Sequence, residues 1–125
     1  MTAKIQLFQV NANEIAAYDI ASGVIGMPDA NDVILRFNCI RSFSLPENLQ
    51  GSIAKAGTSS TETAIFSIQK NGSQFATLTF ETSGNGVFNG VATLFEPNDV
   101  LTIVAPATQD ASLADIYFTI RGTLV

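Results

Sequence analysis

The acidic side chains are the first candidates for chemistry, because two pairs of them stand close together along the chain. Asp29 and Asp32, with Asn31 between them, could offer oxygen ligands to a calcium ion. The same spacing is typical of a loop in which an Asp side chain accepts a backbone hydrogen bond, and we favour this turn interpretation. Asp110 and Asp115 flank the sequence ASLA and could cap a short turn there.

The residues that most enzymes use are missing from the sequence. It contains no histidine and one cysteine, so Ser-His-Asp and Cys-His arrangements and zinc centres are excluded. No Ser-x-x-Lys motif is present, and the glycines of SGNGVFNG (83–90) do not open a helix as a phosphate-binding loop would. No spacing pairs two acids across a cleft, as glycoside hydrolysis requires. We therefore expect no enzymatic activity, no cofactor and no metal.

Three further side chains deserve a structural prediction. Cys39 lies in an apolar segment, which predicts a buried and unreactive thiol. Tyr18 and Tyr117 could together form an aromatic surface for a sugar. A tyrosine in a strand more often anchors a sheet edge or a subunit interface, and we favour that role.

The composition limits the classes of partner. The chain has 125 residues, enough for one domain, with 14% charged residues against about 25% in a typical soluble domain. Ser, Thr, Asn and Gln replace the missing charges, as suits either a protein that packs against neighbours or any Ser/Thr-rich β-sandwich. The net charge is −5 and the six basic residues are scattered, which argues against binding nucleic acid or an anionic membrane.

Localisation follows from the apolar segments. The first ten residues, MTAKIQLFQV, lack the long apolar stretch of a signal peptide. No segment reaches the ~20 apolar residues of a membrane-spanning helix. We expect a protein that is made in the cytoplasm and does not enter a membrane.

Short alternating segments separated by turn residues predict an all-β protein, an antiparallel sandwich of jelly-roll type with about eight strands. Residues 33–40 form a predicted strand whose core-facing side chains are Val33, Leu35, Phe37 and Cys39. Residues 4–10 form a first predicted strand and residues 116–124 the last, with Ile116, Phe118 and Ile120 directed inward. Pro97 in EPNDV (96–100) predicts a turn before the strand at 100–104. Residues 13–22 fit either a short helix or a strand, and the β-rich surroundings favour the strand.

A hairpin is predicted around Asn71-Gly72, between residues 63–70 and 74–80. A two-residue loop would place Phe66 opposite Thr77. A three-residue loop at 70–72 would place Phe66 opposite Ala76, which keeps the apolar side chains on one face. We therefore prefer the three-residue loop.

Residues 51–124 resemble a β-rich module of tailed-phage virion proteins. The resemblance rests on four stretches of sequence and on their order and spacing. They are FSIQKNG (66–72), ATLTF (76–80), NDVLTIVAP (98–106) and QDASLADIYFTIRGTL (109–124). The resemblance implies a jelly-roll-like sandwich, commonly trimeric, without enzymatic activity, located in the virion.

Within that resemblance we expect a capsid decoration protein, a homotrimer that binds the major capsid protein on the head exterior and stabilises the shell. Residues 1–30 would be a docking arm before a sandwich of residues 31–125, and the alternative for the arm is an ordinary edge strand. The expected contact residues are Ile5, Leu7, Phe8 and Val10. The alternative function is a tail-fibre or receptor-binding module that contacts a host-surface glycan or protein through loops 23–32, 55–62 and 105–114.

Overall fold

The fold is an all-β sandwich of two antiparallel sheets, seen in a computed structural model that describes residues 16–125. Ten strands are present among these residues, against the eight or so that the sequence suggests. They are β1 Ala17–Val24, β2 Val33–Asn38, β3 Phe43–Leu45, β4 Ile53–Thr58, β5 Ala64–Lys70, β6 Ser73–Phe80, β7 Gly86–Gly90, β8 Thr93–Phe95, β9 Val100–Val104 and β10 Ala114–Leu124.

The first sheet, sheet I, is built around its longest strand, β10. On one side β10 pairs with the whole of β1, from Ala17 opposite Thr123 to Val24 opposite Ile116. On its other side β10 pairs first with β4 and then with β3, and β3 in turn pairs with β8. Sheet I therefore depends on one strand that contacts three others.

The second sheet, sheet II, has the order β2-β9-β5-β6-β7. The first described strand thus pairs with the last and the second with the last but one, which is the connectivity of a jelly roll. Residues 91–92 carry the chain from sheet II to sheet I, between β7 and β8. The predicted fold class is confirmed.

The core lies between the two sheets and is rich in phenylalanine. Phe43 and Phe95 stack with their ring centroids 5.0 Å apart, and Phe66 meets Phe80 edge-on at 5.6 Å. The inward residues of β10 alternate as predicted, with Ile116, Phe118 and Ile120 buried. Aromatic pairs of these geometries add to the free energy gained by burying apolar area.

The N-terminal prediction is resolved in part. For residues 13–22 the sequence fits a short helix or a strand and favours the strand. The structure shows the strand, β1, beginning at Ala17. The first fifteen residues, with the predicted strand at 4–10, lie outside the described part of the chain. Among residues 16–125 no helix is long and apolar enough to cross a membrane.

The predicted core face of β2 is wrong at its first position. Val33 is exposed and Ile34 is buried, because the pairing of β2 with β9 shifts between Val33 and Leu35. A β-bulge of this kind inserts one extra residue and turns the following side chains to the other face. Leu35 and Phe37 beyond it pack against the core as predicted.

The predicted register of the hairpin is also wrong. Asn71 and Gly72 form a two-residue turn with φ of 51° and 85°, as a type I′ turn requires. A bulge at Phe75 then shifts the pairing, so that Phe66 lies opposite Leu78 rather than Ala76 or Thr77. The apolar side chains do share one face, but the bulge achieves this and not a longer loop.

Candidate functional site

Three loops meet at one end of the sandwich, which we call the loop end: residues 25–32, 59–63 and 105–113. The backbone N–H of Asn31 donates to the carbonyl of Pro106 at 2.9 Å. The side chain of Gln109 donates to the carbonyl of Pro28 at 3.0 Å, and the Ser112 hydroxyl donates to the carbonyl of Ser59 at 2.7 Å. The three segments predicted for receptor contact therefore meet at one end, although residues 55–58 of the second segment belong to β4 and not to a loop.

Asp110 is the main acceptor of the loop end. Its carboxylate accepts from the backbone N–H and hydroxyl of Thr61 at 3.0–3.1 Å and from the N–H of Glu62 at 3.2 Å. Within its own loop it accepts from the N–H groups of Ser112 and Leu113 at 2.9 and 3.0 Å. It caps a turn as predicted, although no helical turn follows.

Electrostatics keeps this carboxylate ionised. Desolvation acts to raise the pKa of Asp110, but the N–H groups of Ser112, Thr61, Leu113 and Glu62 together outweigh it and hold the pKa well below its usual value. A group whose charged form is bonded in this way stabilises the fold and is a poor proton donor or acceptor at neutral pH. Asp110 is therefore equipped for structure rather than for general acid-base catalysis.

Asp115, near the start of β10, joins the first loop (25–32) to the loop end. Its carboxylate accepts from the N–H of Gly26 at 2.8 Å, and its own N–H donates to the Gly26 carbonyl at 3.0 Å. Asp110 and Asp115 thus hold two different loops, and they do not act as a pair on one turn.

The pair Asp29 and Asp32 forms a turn. The carboxylate of Asp32 accepts from the N–H of Asp29 at 2.8 Å, and the N–H of Asp32 donates back to the Asp29 carbonyl at 3.1 Å. Within residues 16–125 no group of three or more His, Cys, Asp or Glu side chains is placed to hold a metal ion. The geometry matches the turn interpretation that the sequence favours.

A shallow depression lies beside these loops. Its volume is about 340 Å³, and it is lined by Thr63, Ile65, Thr108 and Gln109 with their neighbours. Ile25, the first residue of the loop that follows β1, is 99% exposed. This depression is the part of the loop end that could admit a ligand.

The opposite end, which we call the turn end, is formed by the tight turns at 71–72 and 96–99. The Asn71 side chain donates to Asp99 at 2.9 Å and accepts from the N–H of Val100 at 2.9 Å. The pKa of Asp99 is lowered, first by this bond from Asn71 and then by the bond from the N–H of Glu96. Lys70 adds an ion pair with Asp99 at 3.7 Å.

Cys39 lies beneath the turn end and is buried, as predicted. Its N–H donates to the carbonyl of Asp99 at 2.9 Å. Burial raises the pKa of the Cys39 thiol to about 11, and the Asp99 carboxylate adds to the rise, while Lys70 opposes it. The thiol is therefore protonated and unreactive at neutral pH.

The two tyrosines do not form a common surface. Tyr18 faces the core and packs on Phe43 with the ring centroids 4.9 Å apart. Tyr117 lies on the outward face of sheet I, opposite Gly23 of β1 and Lys55 of β4. A sugar cannot contact both rings, so the joint aromatic surface is wrong.

The two outward faces of the sandwich differ in charge. On sheet I the described strands present four charged side chains outward, from Asp19, Lys55, Asp115 and Arg121. On sheet II the described strands present one, from Arg36, because Lys70 turns inward toward Phe95 and Asp99. We call the outward side of sheet II the neutral face. Its outward residues are Val33, Arg36, Asn38, Ile65, Ser67, Gln69, Gln74, Thr77, Thr79, Val87, Asn89, Val100, Thr102 and Val104.

The contact residues expected from the sequence, Ile5, Leu7, Phe8 and Val10, lie outside the described residues. The neutral face has no counterpart among the sequence predictions. The signal was present in the sequence as outward Val, Thr and Ile at alternate positions of five strands, but only the strand order shows that they share one surface.

No family model matches the sequence, and no curated protein is similar to it.

Proposed function

We propose that this protein is a non-enzymatic structural protein of a tailed-phage virion, a trimeric decoration protein that binds the head exterior and stabilises the shell. The resemblance of residues 51–124 suggests the virion context, and that segment forms most of the described sandwich. Decoration requires surfaces that pack against neighbouring proteins rather than a site that transforms a substrate.

The observation that supports this proposal most strongly is the scarcity of charged side chains on the neutral face. Interfaces that stay assembled are depleted of charged residues at their centre and keep polar groups at the rim. The neutral face has this character across five strands, with Arg36 on the edge strand β2.

The chemistry of the acids agrees with a structural role. Asp110, Asp115 and Asp32 use their carboxylates to accept backbone hydrogen bonds between or within loops. Carboxylates that accept these bonds support the fold. Among the described residues they leave the loop end without an opposed pair of free carboxylates. Such an end supports binding better than hydrolysis.

Locating the protein on intact particles tests the proposal. A density map of the virion, compared with one of particles that lack the protein, should show added density at symmetry-related positions on the head. Particles that lack the protein should release DNA at lower temperature. Density confined to the tail tip or fibres would contradict the proposal.

The docking role of Ile5, Leu7, Phe8 and Val10 remains part of the proposal. Deleting residues 2–12 should abolish binding to heads that lack the protein, while circular dichroism and thermal unfolding stay those of the intact chain. A folded deletion variant that still binds heads would remove the arm from the mechanism.

The loop end supports the second candidate, a receptor-binding module for a host-surface glycan or protein. Three loops form one surface there, with an exposed Ile25 and an adjacent depression. If this function is correct, purified protein adsorbs to susceptible cells, and Ile25→Asp weakens adsorption while Ile53→Asp on sheet I does not. Failure to adsorb to any susceptible host would reject it.

A further inference from the structure

We propose that residues 4–10 of one copy of this chain add a strand to the open edge of β1 in a neighbouring copy. The inference rests on the proposed function, in which the chain acts as a trimer and docks through its N-terminal segment. It deepens that function by naming the surface on which the segment docks and the way in which the copies are joined.

The open edge of β1 is the longest edge among the described strands. β1 has eight residues and pairs with β10 in unbroken register, while no strand of residues 16–125 pairs with its other side. Proteins usually guard such an edge with a short strand, a bulge, a proline or a basic side chain. The edge strand β2 has a bulge and Arg36, and the edge strand β8 has three residues. Because β1 has none of these features, it is suited to accept a further strand.

The register identifies the backbone groups that face this edge. The N–H of Leu124 donates to the carbonyl of Ala16, and Ala17 lies opposite Thr123. Since alternate residues of an antiparallel pair exchange hydrogen bonds, the even-numbered residues of β1 bond to β10. Each odd-numbered residue therefore directs one N–H and one C=O to the open edge. These residues are Ala17, Asp19, Ala21 and Gly23.

The core is incompletely covered along the same side of the sandwich. Four side chains of the two edge strands there are only partly buried and pack against the core; we call them the apolar strip. They are Tyr18 and Val24 of β1 and Leu35 and Phe37 of β2. The ring centroids of Tyr18 and Phe37 lie 6.3 Å apart, so the two edges stand close together. A strand added to β1 would bring its own side chains over the apolar strip.

The sequence of residues 4–10, KIQLFQV, provides the side chains for this role. A strand directs alternate residues to opposite faces. One of the pairs Ile5/Leu7 and Phe8/Val10 would therefore cover the apolar strip, and the other would stay outward. The outward pair is then available for the capsid contact of the proposed function.

The charges of the two strands are complementary. Lys4 is the one charged residue of the donated segment, and Asp19 is the one charged residue of β1. A net charge of −5 makes copies of the chain repel one another, but pairing these two strands places no carboxylate against another.

A neighbouring copy is a better donor than the chain's own segment. The carbonyl of Ala16 still bonds to β10, so a hairpin onto the same β1 would have to turn within NANEI (11–15), which contains neither glycine nor proline. The 15 residues before Ala16 span up to about 50 Å when extended, against about 37 Å for the 11 residues of β10, so they can leave their own sheet. A donated strand is also a head-to-tail contact, the type that closes into the ring of a trimer.

Sedimentation velocity of the full chain, from micromolar to near-millimolar concentration, tests the inference. Concentrated wild type should sediment as a trimer of the 13.2 kDa chain. Leu7→Pro removes an N–H from the middle of the donated strand and should raise the concentration of half-assembly at least ~10-fold. Ala3→Pro, outside that strand, should leave it unchanged. In dilute solution, where the copies are apart, all three chains should give the same circular dichroism and thermal unfolding.

Hydrogen exchange locates the contact. The amides of Asp19, Ala21 and Gly23 should be at least ~10-fold better protected in concentrated than in dilute wild type. Those of Ile20 and Ser22, which face β10, should be protected in both. If Leu7→Pro does not fold, deletion of residues 2–12 replaces it.

Each other outcome overturns the inference. A wild type that stays monomeric at every concentration would reject it, as would an assembly that Leu7→Pro leaves unchanged. Assembly without added protection at Asp19, Ala21 and Gly23 would assign the contact to another surface. Full protection of these amides in dilute wild type would mean that the chain's own segment covers β1.

The same results distinguish the inference from the proposed function, because they use free protein and the head or tail location is measured on particles. Strand donation in a protein located on the tail would retain the inference and reject decoration. A monomer located on the head would do the reverse. An assembly of another size that is lost in Leu7→Pro would retain the donated strand and reject the trimer.

Discussion

Aspartate side chains hold both the loop end and the turn end, but they connect the chain over different distances at the two ends. Asp99 accepts from Glu96, three residues before it, and from the side chain of Asn71. At the loop end, Asp110 reaches Thr61 across 49 residues, and Asp115 reaches Gly26 across 89.

The backbone of the turn end is also set locally. Asn71 and Gly72 adopt the left-handed φ values of a type I′ turn, and Pro97 and Asn98 form a type II turn with φ of 78° at Asn98. The loop end instead depends on side chains that reach other loops. We therefore expect the loop end to lose its structure as a unit when one acceptor is removed, and the turn end to lose it in steps.

The largest expected effect follows from removing the main acceptor. Asp110→Ala should lower the free energy of unfolding by about 2 kcal/mol, because several N–H donors lose a charged partner. Hydrogen exchange should show lost protection at the amides of Thr61, Glu62 and Leu113 together. Unchanged exchange at these amides would mean that the loop end does not act as a unit. Asp19→Ala, on the outward face of sheet I, serves as the control.

The pH dependence of stability tests the contribution of the same carboxylate. The folded-state pKa of Asp110 lies below its ordinary value of 3.8, so its contribution is present above about pH 4 and is lost as pH falls through the folded-state pKa. The difference in unfolding free energy between wild type and Asp110→Asn should therefore be largest near neutral pH and shrink in acid. Urea titrations at several pH values measure it, and a difference that stays constant would contradict the assignment.

A smaller effect is expected at the turn end. Asn71→Ala should destabilise the protein by about 1 kcal/mol. Alanine cannot form the hydrogen bonds of the Asn71 side chain to Asp99 and Val100, and it adopts a left-handed φ less readily than asparagine. Asn71→Gly keeps the φ and loses only the bonds, so it should cost less. Equal effects of the two variants on the urea midpoint would show that φ contributes nothing there.

The smallest effect is expected at Cys39, where wild type should not react. A maleimide or disulfide reagent at pH 8 should label the thiol only after unfolding, because burial raises its pKa to about 11 and excludes the reagent. Labelling of Asn71→Ala should be faster than that of wild type if the turn end opens over Cys39. Rapid labelling of folded wild type would contradict the burial.

The sequence predicts the features that neighbouring residues determine. The Asn71-Gly72 and Pro97 turns and the inward alternation of Ile116, Phe118 and Ile120 are of this kind. The bulges near Ile34 and at Phe75 were missed, because a bulge depends on the partner strand as well as on its own residues.

The surfaces were less predictable than the strands. The neutral face requires the order of five strands, and the loop end requires contacts between residues 49 to 89 positions apart. The contact residues predicted at 5–10 lie outside the described part of the chain and remain a prediction.

The position of β10 in sheet I has a consequence for how fast the protein folds. Tyr18 of β1 pairs with Gly122 of β10, so about one hundred residues must be closed into a loop before sheet I has its central strand. Until then β1, β3 and β4 lack the partner that joins them, and their edges are open to wrong pairing. Proteins dominated by such distant pairings fold in milliseconds to seconds, and we expect this chain to be among them.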